Sequence, residues 1–230
     1  MKKTLAIAGA FVLLGSIAQA ASLAPGDTLF KSDPSVIYNP KYTTTLPPFA
    51  SGPNLVATLT APLTGGFIGT MTSDVYADPA NGNLAFHYTL TMSDMNTADV
   101  VRATMGGWAG VTITDAGADA SGNSGTFDPA PEWNDGDPFA ISRDPTSQGL
   151  ELQWRQALGP VLVGTVIGPG DLSSVSFFVT DAKQYTRGTI GLIDTTVIGA
   201  SDVIVPLPEP ASLALVTVGL AFAALRRNRQ

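Results

Sequence analysis

The sequence predicts an all-β protein, a single antiparallel β-sandwich of jelly-roll-like form with a helix only at each end. Three observations predict it. Apolar and polar residues alternate in short runs through the middle of the chain, and Gly- and Pro-rich clusters separate those runs. No window between the two ends offers a long 3.6-residue apolar stripe free of Gly and Pro. The 230 residues include 24 Gly and 17 Pro, 44% hydrophobic and 13% charged residues, no Cys and one His. A mean hydropathy of +0.21 with so few charges argues against intrinsic disorder. Without Cys there is no disulfide framework, thiolate zinc site, Fe–S cluster or thiol catalysis. A net charge of −7 and a pI near 4.5 argue against nucleic acid as a partner, because phosphate neutralisation needs clustered Lys and Arg.

Residues 1–20 read as a secretory signal helix. Lys2 and Lys3 supply the basic start, the run from Leu5 to Ile17 is apolar and small, and Ala18-Gln19-Ala20 is an A-x-A site for signal peptidase. Cleavage there starts the mature chain at Ala21 outside the cytoplasm. Residues 21–53 hold six prolines and read as an irregular lead-in packing on the sandwich edge.

The sandwich domain is expected over residues 54–205, as one domain without an internal repeat. About ten strands are predicted, roughly 54–60, 65–77, 84–93, 99–105, 108–114, 139–142, 149–155, 160–167, 173–180 and 186–198. Leu84, Phe86, Tyr88, Leu90 and Met92 alternate with Ala85, His87, Thr89 and Thr91. Leu150, Leu152 and Trp154 alternate with Glu151, Gln153 and Arg155. Asp78-Pro79-Ala80-Asn81-Gly82-Asn83 and Gly168-Pro169-Gly170-Asp171 read as turns. The segment from Ala116 to Pro138 is the longest one predicted without a strand, and loops of that length tend to be functional or disordered.

Residues 206–230 close the chain with three parts in series: Pro208-Glu209-Pro210, an uncharged run from Ala211 to Leu225, and Arg226, Arg227 and Arg229. As a helix the run would cover about 22 Å, short of the ~30 Å hydrocarbon core, so a span needs snorkelling flanks or a thinned bilayer. The arginines act as a topology anchor on the cytoplasmic side. This tail resembles the PEP-CTERM sorting signal of Gram-negative bacteria that make exopolysaccharide. The resemblance implies a membrane-embedded exosortase that recognises the tail and cleaves near Pro208-Glu209-Pro210. It also implies transient inner-membrane anchoring, then delivery to the cell surface or extracellular matrix. A second stretch, Gly66-Phe67-Ile68-Gly69-Thr70-Met71-Thr72-Ser73-Asp74-Val75-Tyr76 followed by Asn81-Gly82-Asn83-Leu84-Ala85-Phe86-His87-Tyr88, is similar to a hairpin common in exported proteins with this tail. It speaks to fold and export and is silent on chemistry.

Between the addresses, residues 21–207 carry 7 Lys and Arg against 18 Asp and Glu, a net −11. Such a surface keeps an exported domain soluble. Its expected role is non-enzymatic. His87 lies opposite Phe86 and Tyr88 and reads as solvent-facing, with no nucleophile elbow to serve. Oxygen ligands crowd the 115–138 loop, and Asp115, Asp119, Asp135 and Asp137 are its candidate Ca²⁺ ligands, although the spacing fails the EF-hand pattern. Trp133 in the same loop is a candidate glycan contact, which makes a carbohydrate-binding or calcium-dependent matrix module, with exopolysaccharide as partner, the alternative reading. Trp154 reads as core and Trp108 is ambiguous. A secreted glycoside hydrolase is the third reading. It needs paired carboxylates, and Glu151 reads instead as an exposed charge beside Arg155.

Overall fold

A computed structural model describes residues 21–31, 41–119, 136–158, 161–164 and 166–208. The expected signal helix and the membrane helix at 211–225 lie outside these residues. Fourteen strands are described: β1 Thr28–Phe30, β2 Leu55–Pro62, β3 Thr64–Gly65, β4 Gly69–Ala77, β5 Leu84–Met92, β6 Arg102–Gly106 and β7 Ile113–Asp119 come first. They are followed by β8 Ala140–Arg143, β9 Gly149–Gln153, β10 Arg155–Leu158, β11 Val161–Gly164, β12 Val175–Thr180, β13 Gln184–Ile193 and β14 Ile198–Leu207. One sheet has seven strands in the order β1-β8-β9-β6-β13-β14-β3, another five in the order β2-β4-β5-β12-β7, and β10 and β11 form a separate pair. Every strand pairing in them is antiparallel.

The alternation seen in the sequence selects the inner faces. Met71 and Val75 of β4, Phe86, Tyr88 and Leu90 of β5, and Phe178 of β12 share one buried cluster with Ala103 and Met105 of β6, Leu150 and Leu152 of β9, Ile190 and Leu192 of β13, and Val203 and Val205 of β14. Two polar bonds cross from sheet to sheet inside it. The Tyr88 hydroxyl donates to the Ile204 carbonyl at 2.7 Å, and the Ile204 N–H donates to Ser73 Oγ at 3.0 Å. A buried hydroxyl left without a partner costs about 1–3 kcal/mol, so these bonds fix how β14 lies over β4 and β5.

Trp108 is fully buried, packing edge-on to Phe86 at 5.8 Å and tilted against Phe178 at 5.1 Å between ring centres. That resolves its ambiguity in favour of core. Trp154 is buried as expected, and its indole N–H donates to the Gly136 carbonyl at 2.9 Å.

The lead-in joins the two sheets along one side. From β1, at the edge of the seven-stranded sheet, the chain returns at Lys41 beside Phe30 and pairs Thr43 with Gly117 of β7, the edge of the other sheet. Thr43 donates its N–H to the Ala116 carbonyl and accepts from the Ala118 N–H, each at 3.0 Å. The crossing is tight enough to require glycine at 117, where a Cβ would lie 1.9 Å from the Thr43 carbonyl oxygen and 2.7 Å from the Phe177 ring. Tyr42, buried in this crossing, donates its hydroxyl to the Pro138 carbonyl at 2.6 Å. Unpaired sheet edges invite intermolecular pairing, and this crossing covers one.

Three expectations need correction. The strand expected at 108–114 is β7 at Ile113–Asp119, so Ala116 to Asp119 belong to a strand rather than to the long loop. Gly110, with φ of 71°, holds a turn after Trp108, so the strand starts only at Ile113. The single strand expected at 186–198 is a hairpin of two ten-residue strands. The Asp194 N–H donates to the Val197 carbonyl and the Asp194 carboxylate accepts the Thr195 N–H, which reverses the chain without Gly or Pro.

Candidate functional site

A groove of about 1060 Å³ lies on the outer face of the seven-stranded sheet. Its floor follows from register. Thr28 pairs with Ser142, Ser142 with Glu151, Glu151 with Thr104, and Thr104 with Gly191, giving one row of neighbouring side chains across β1, β8, β9, β6 and β13. Five strands at ~4.8 Å spacing make that row about 19 Å long. One position along, Gly106 faces Gly149, so the floor is low there.

The charge in the row is balanced on the spot. Glu151 pairs with Arg102 across the β6/β9 ladder at 3.4 Å and accepts from Gln153 at 2.6 Å. Its ion-pair partner is therefore Arg102 on the neighbouring strand, not Arg155, which lies four residues along the chain and beyond the end of β9. Glu151 is the one glutamate among the described residues, and this ion pair holds it as a surface charge.

One end of the groove is held by the turn after β8. Asp144 accepts N–H bonds from Thr146 at 2.7 Å and from Gly149, and a hydroxyl bond from Thr146. The Thr146 hydroxyl foremost, with these backbone donors, holds its carboxyl below the usual range. Beneath it Arg143 is buried. Its guanidinium donates to the carbonyls of Leu23 at 3.3 Å, Trp108 at 2.9 Å and Val111 at 2.6 Å. Burial pulls its pKa down, against the opposing pull of Asp144 and Asp181. One cation thus ties the segment at Leu23, the Trp108 turn and β8 together.

The carboxylates singled out for Ca²⁺ serve the chain's own backbone and side chains where they are described. Asp115 accepts the Ala21 N–H at 2.8 Å and the Thr43 hydroxyl at 2.7 Å. Asp119 is buried and accepts the Leu46 N–H at 3.0 Å. Asp137 forms a buried ion pair with Lys31 at 3.7 Å. Asp135 and Trp133 lie outside the described residues. Among the described residues no three His, Asp or Glu side chains assemble into a metal-holding group.

His87 is buried at 4% exposure, contrary to the solvent-facing expectation. The outer face of the five-stranded sheet is covered here. Tyr76 lies over the imidazole at 4.6 Å between ring centres, and Phe177 flanks it at 6.2 Å. Burial lowers the His87 pKa to about 4, with the Asp119 charge pulling the other way. Among the described residues its Nε2 has no hydrogen-bond partner, so no serine, threonine or lysine donates to it there. The residue is a packed neutral imidazole.

Of the processing residues, Pro208 is described, half-buried directly after β14. Ala18, Ala20, Glu209, Pro210, Arg226, Arg227 and Arg229 lie outside the described residues. No described helix is long and apolar enough to cross a membrane. No family model, curated protein or solved structure matches this chain.

The cross-strand row was not found from the sequence. Thr104, Ser142 and Glu151 each occupy a polar position of an alternating run, but only strand register brings them side by side.

Proposed function

We propose that the chain is an exported, non-enzymatic protein of the cell surface or extracellular matrix, sorted by its carboxy-terminal signal. Signal peptidase cuts after Ala20, the tail holds the protein transiently in the inner membrane, and an exosortase cleaves near Pro208-Glu209-Pro210. The two sheets are read as a jelly-roll-like sandwich that forms the mature body. One observation carries this reading beyond the tail's own sequence. β14 ends at Leu207 and gives Val203, Ile204 and Val205 to the buried cluster. Cleavage at or after Pro208 therefore leaves this last described strand whole, which a disposable sorting tail requires. Intact-mass measurement of the exported product tests the proposal. Loss of residues 1–20 and of everything after the Pro-Glu-Pro motif is expected, and an extracellular, membrane-free species that retains Arg229 overturns it.

A second reading, a carbohydrate-binding or calcium-dependent matrix module, is favoured by the hydroxyl-lined groove rather than by the 115–138 loop. The row of Thr28, Ser142, Glu151 and Thr104 offers donors and acceptors on a low, extended floor of the kind a polysaccharide chain could lie along. Calorimetric titration with the host polysaccharide, with and without Ca²⁺, reads it out, and absence of heat in both retires it.

A further inference from the structure

The amino terminus left by signal cleavage has a built receptor in the fold. The Ala21 nitrogen lies 2.8 Å from Asp115 Oδ1, and the Thr43 hydroxyl donates to the same oxygen at 2.7 Å. Around that contact the first mature residues run along β7. Ala116 donates its N–H to the Ala21 carbonyl at 3.0 Å, and Leu23 donates to the Ile113 carbonyl at 3.3 Å while its side chain is fully buried. Together with Thr43 they occupy the outer hydrogen-bonding groups of an edge strand, which would otherwise stand ready to pair with another chain.

In the precursor the Ala21 nitrogen is an amide and can offer Asp115 one neutral N–H. After cleavage on the carboxyl side of Ala20 it is an α-ammonium, largely protonated at neutral pH, and the same contact becomes a charge-assisted hydrogen bond. Cleavage hydrolyses one peptide bond with one water. It leaves a carboxylate on the released signal peptide and places the positive charge where the folded chain already presents a carboxylate. The neighbouring charges do not compete for it. Asp27 accepts the Ala24 N–H at 3.0 Å, Asp181 accepts the Thr112 N–H at 2.8 Å, and Arg143 is directed at the Leu23 carbonyl.

We propose that Asp115 is the docking site for the α-ammonium of Ala21, so that removal of the signal peptide stabilises the β7 edge of the mature domain. The inference rests on the export reading for the position of the cut. It couples processing to folding: a chain still carrying its signal peptide has a looser edge than the released one.

The test separates this from the cleavage site itself. The chain from Ala21 to Gln230 is produced in detergent behind a removable fusion that leaves Ala21 as its first residue, whichever bond the host cuts. Three forms are compared by thermal and urea unfolding: the free amine, the Nα-acetylated chain, and a chain with a Gly-Ser extension. Acetylation keeps an N–H donor and removes only the charge. The free amine is expected to have a folding equilibrium constant about two- to five-fold larger than either blocked form, the size of a partly exposed ion pair. In Asp115→Asn, which keeps an acceptor oxygen, that difference between free and acetylated chains should vanish. Equal stability of free and acetylated forms overturns the proposal, as does a difference that persists in Asp115→Asn. Sequencing the amino terminus of the natural product bears separately on the export reading.

Discussion

At the scale of single residues, His87 shows how much a polar position in an alternating strand depends on what covers it. Its pKa of about 4 in the folded chain, against an ordinary 6.5, comes from burial under Tyr76 and beside Phe177. The unfolded chain therefore binds the proton at higher pH than the folded one. The neutral imidazole's full stability is present above pH 6.5 and is lost as pH falls through the range down to about 4. The loss amounts to about 3 kcal/mol across the window. Urea unfolding at pH 7, 6, 5.5 and 5 should show the decline beginning before most carboxylates titrate. His87→Phe, which keeps an aromatic ring against Tyr76, should flatten the pH 5–6.5 segment, and an unchanged slope in that variant would assign the decline to other groups. The Lys31 and Asp137 pair, each side chain 7% exposed, is a buried ion pair, and it ties the end of β1 to the segment before β8.

Among the elements, the strand pairings decide what the surface offers. β1, β8, β9, β6 and β13 all contribute to the groove floor, so the floor exists only because their registers agree. Gly106 of β6 is the place to test it. A Cβ there would meet no atom within 4 Å, and its φ is not in the left-handed region, so a longer side chain enters open space over the floor. Gly106→Gln should leave urea stability within about 0.5 kcal/mol of the parent, as surface substitutions usually do. If polysaccharide lies in the groove, the same variant should weaken its binding at least ten-fold in calorimetry. Retained affinity would move the ligand elsewhere. Gly117 is the contrasting case, since its missing Cβ lets the lead-in lie directly on β7.

For the whole molecule, the two-sheet body is closed by elements distant in sequence. On one side Tyr42 and Thr43 bridge the sheets, and on the other Ser201 of β14 donates to the Ala61 and Pro62 carbonyls of β2 at 3.3 and 3.1 Å. β14, the last described strand, ends at Leu207, so a chain ending at Pro208 keeps it whole and should unfold within about 2 °C of one carrying the full tail, measured in the same detergent. A larger fall, given that about 1 kcal/mol shifts Tm by ~2–4 °C at this size, would mean that the tail supports the body. Removal of Ala21 to Leu23 should be far more costly, because Leu23 is fully buried and its carbonyl holds Arg143.

Much was legible in the sequence because it is written locally. The terminal address segments are contiguous strings of charge, apolarity and proline, and strand identity follows from period-two alternation, as in Leu84 to Met92. Alternation assigns residues to two faces but cannot say whether the second face is covered. The burial of His87 was therefore decided by Tyr76 and Phe177, on the strands either side of its own. The same limit hid the Asp194 turn, which reverses the chain through a side-chain bond, and the Glu151 to Arg102 pair, which needs the β6/β9 register. By itself the sequence determined an acidic, Cys-free β-protein with an expected address at each end. Tertiary structure decided which polar residues meet, because contacts between strands far apart in the chain are set by register and crossing, not by spacing along it.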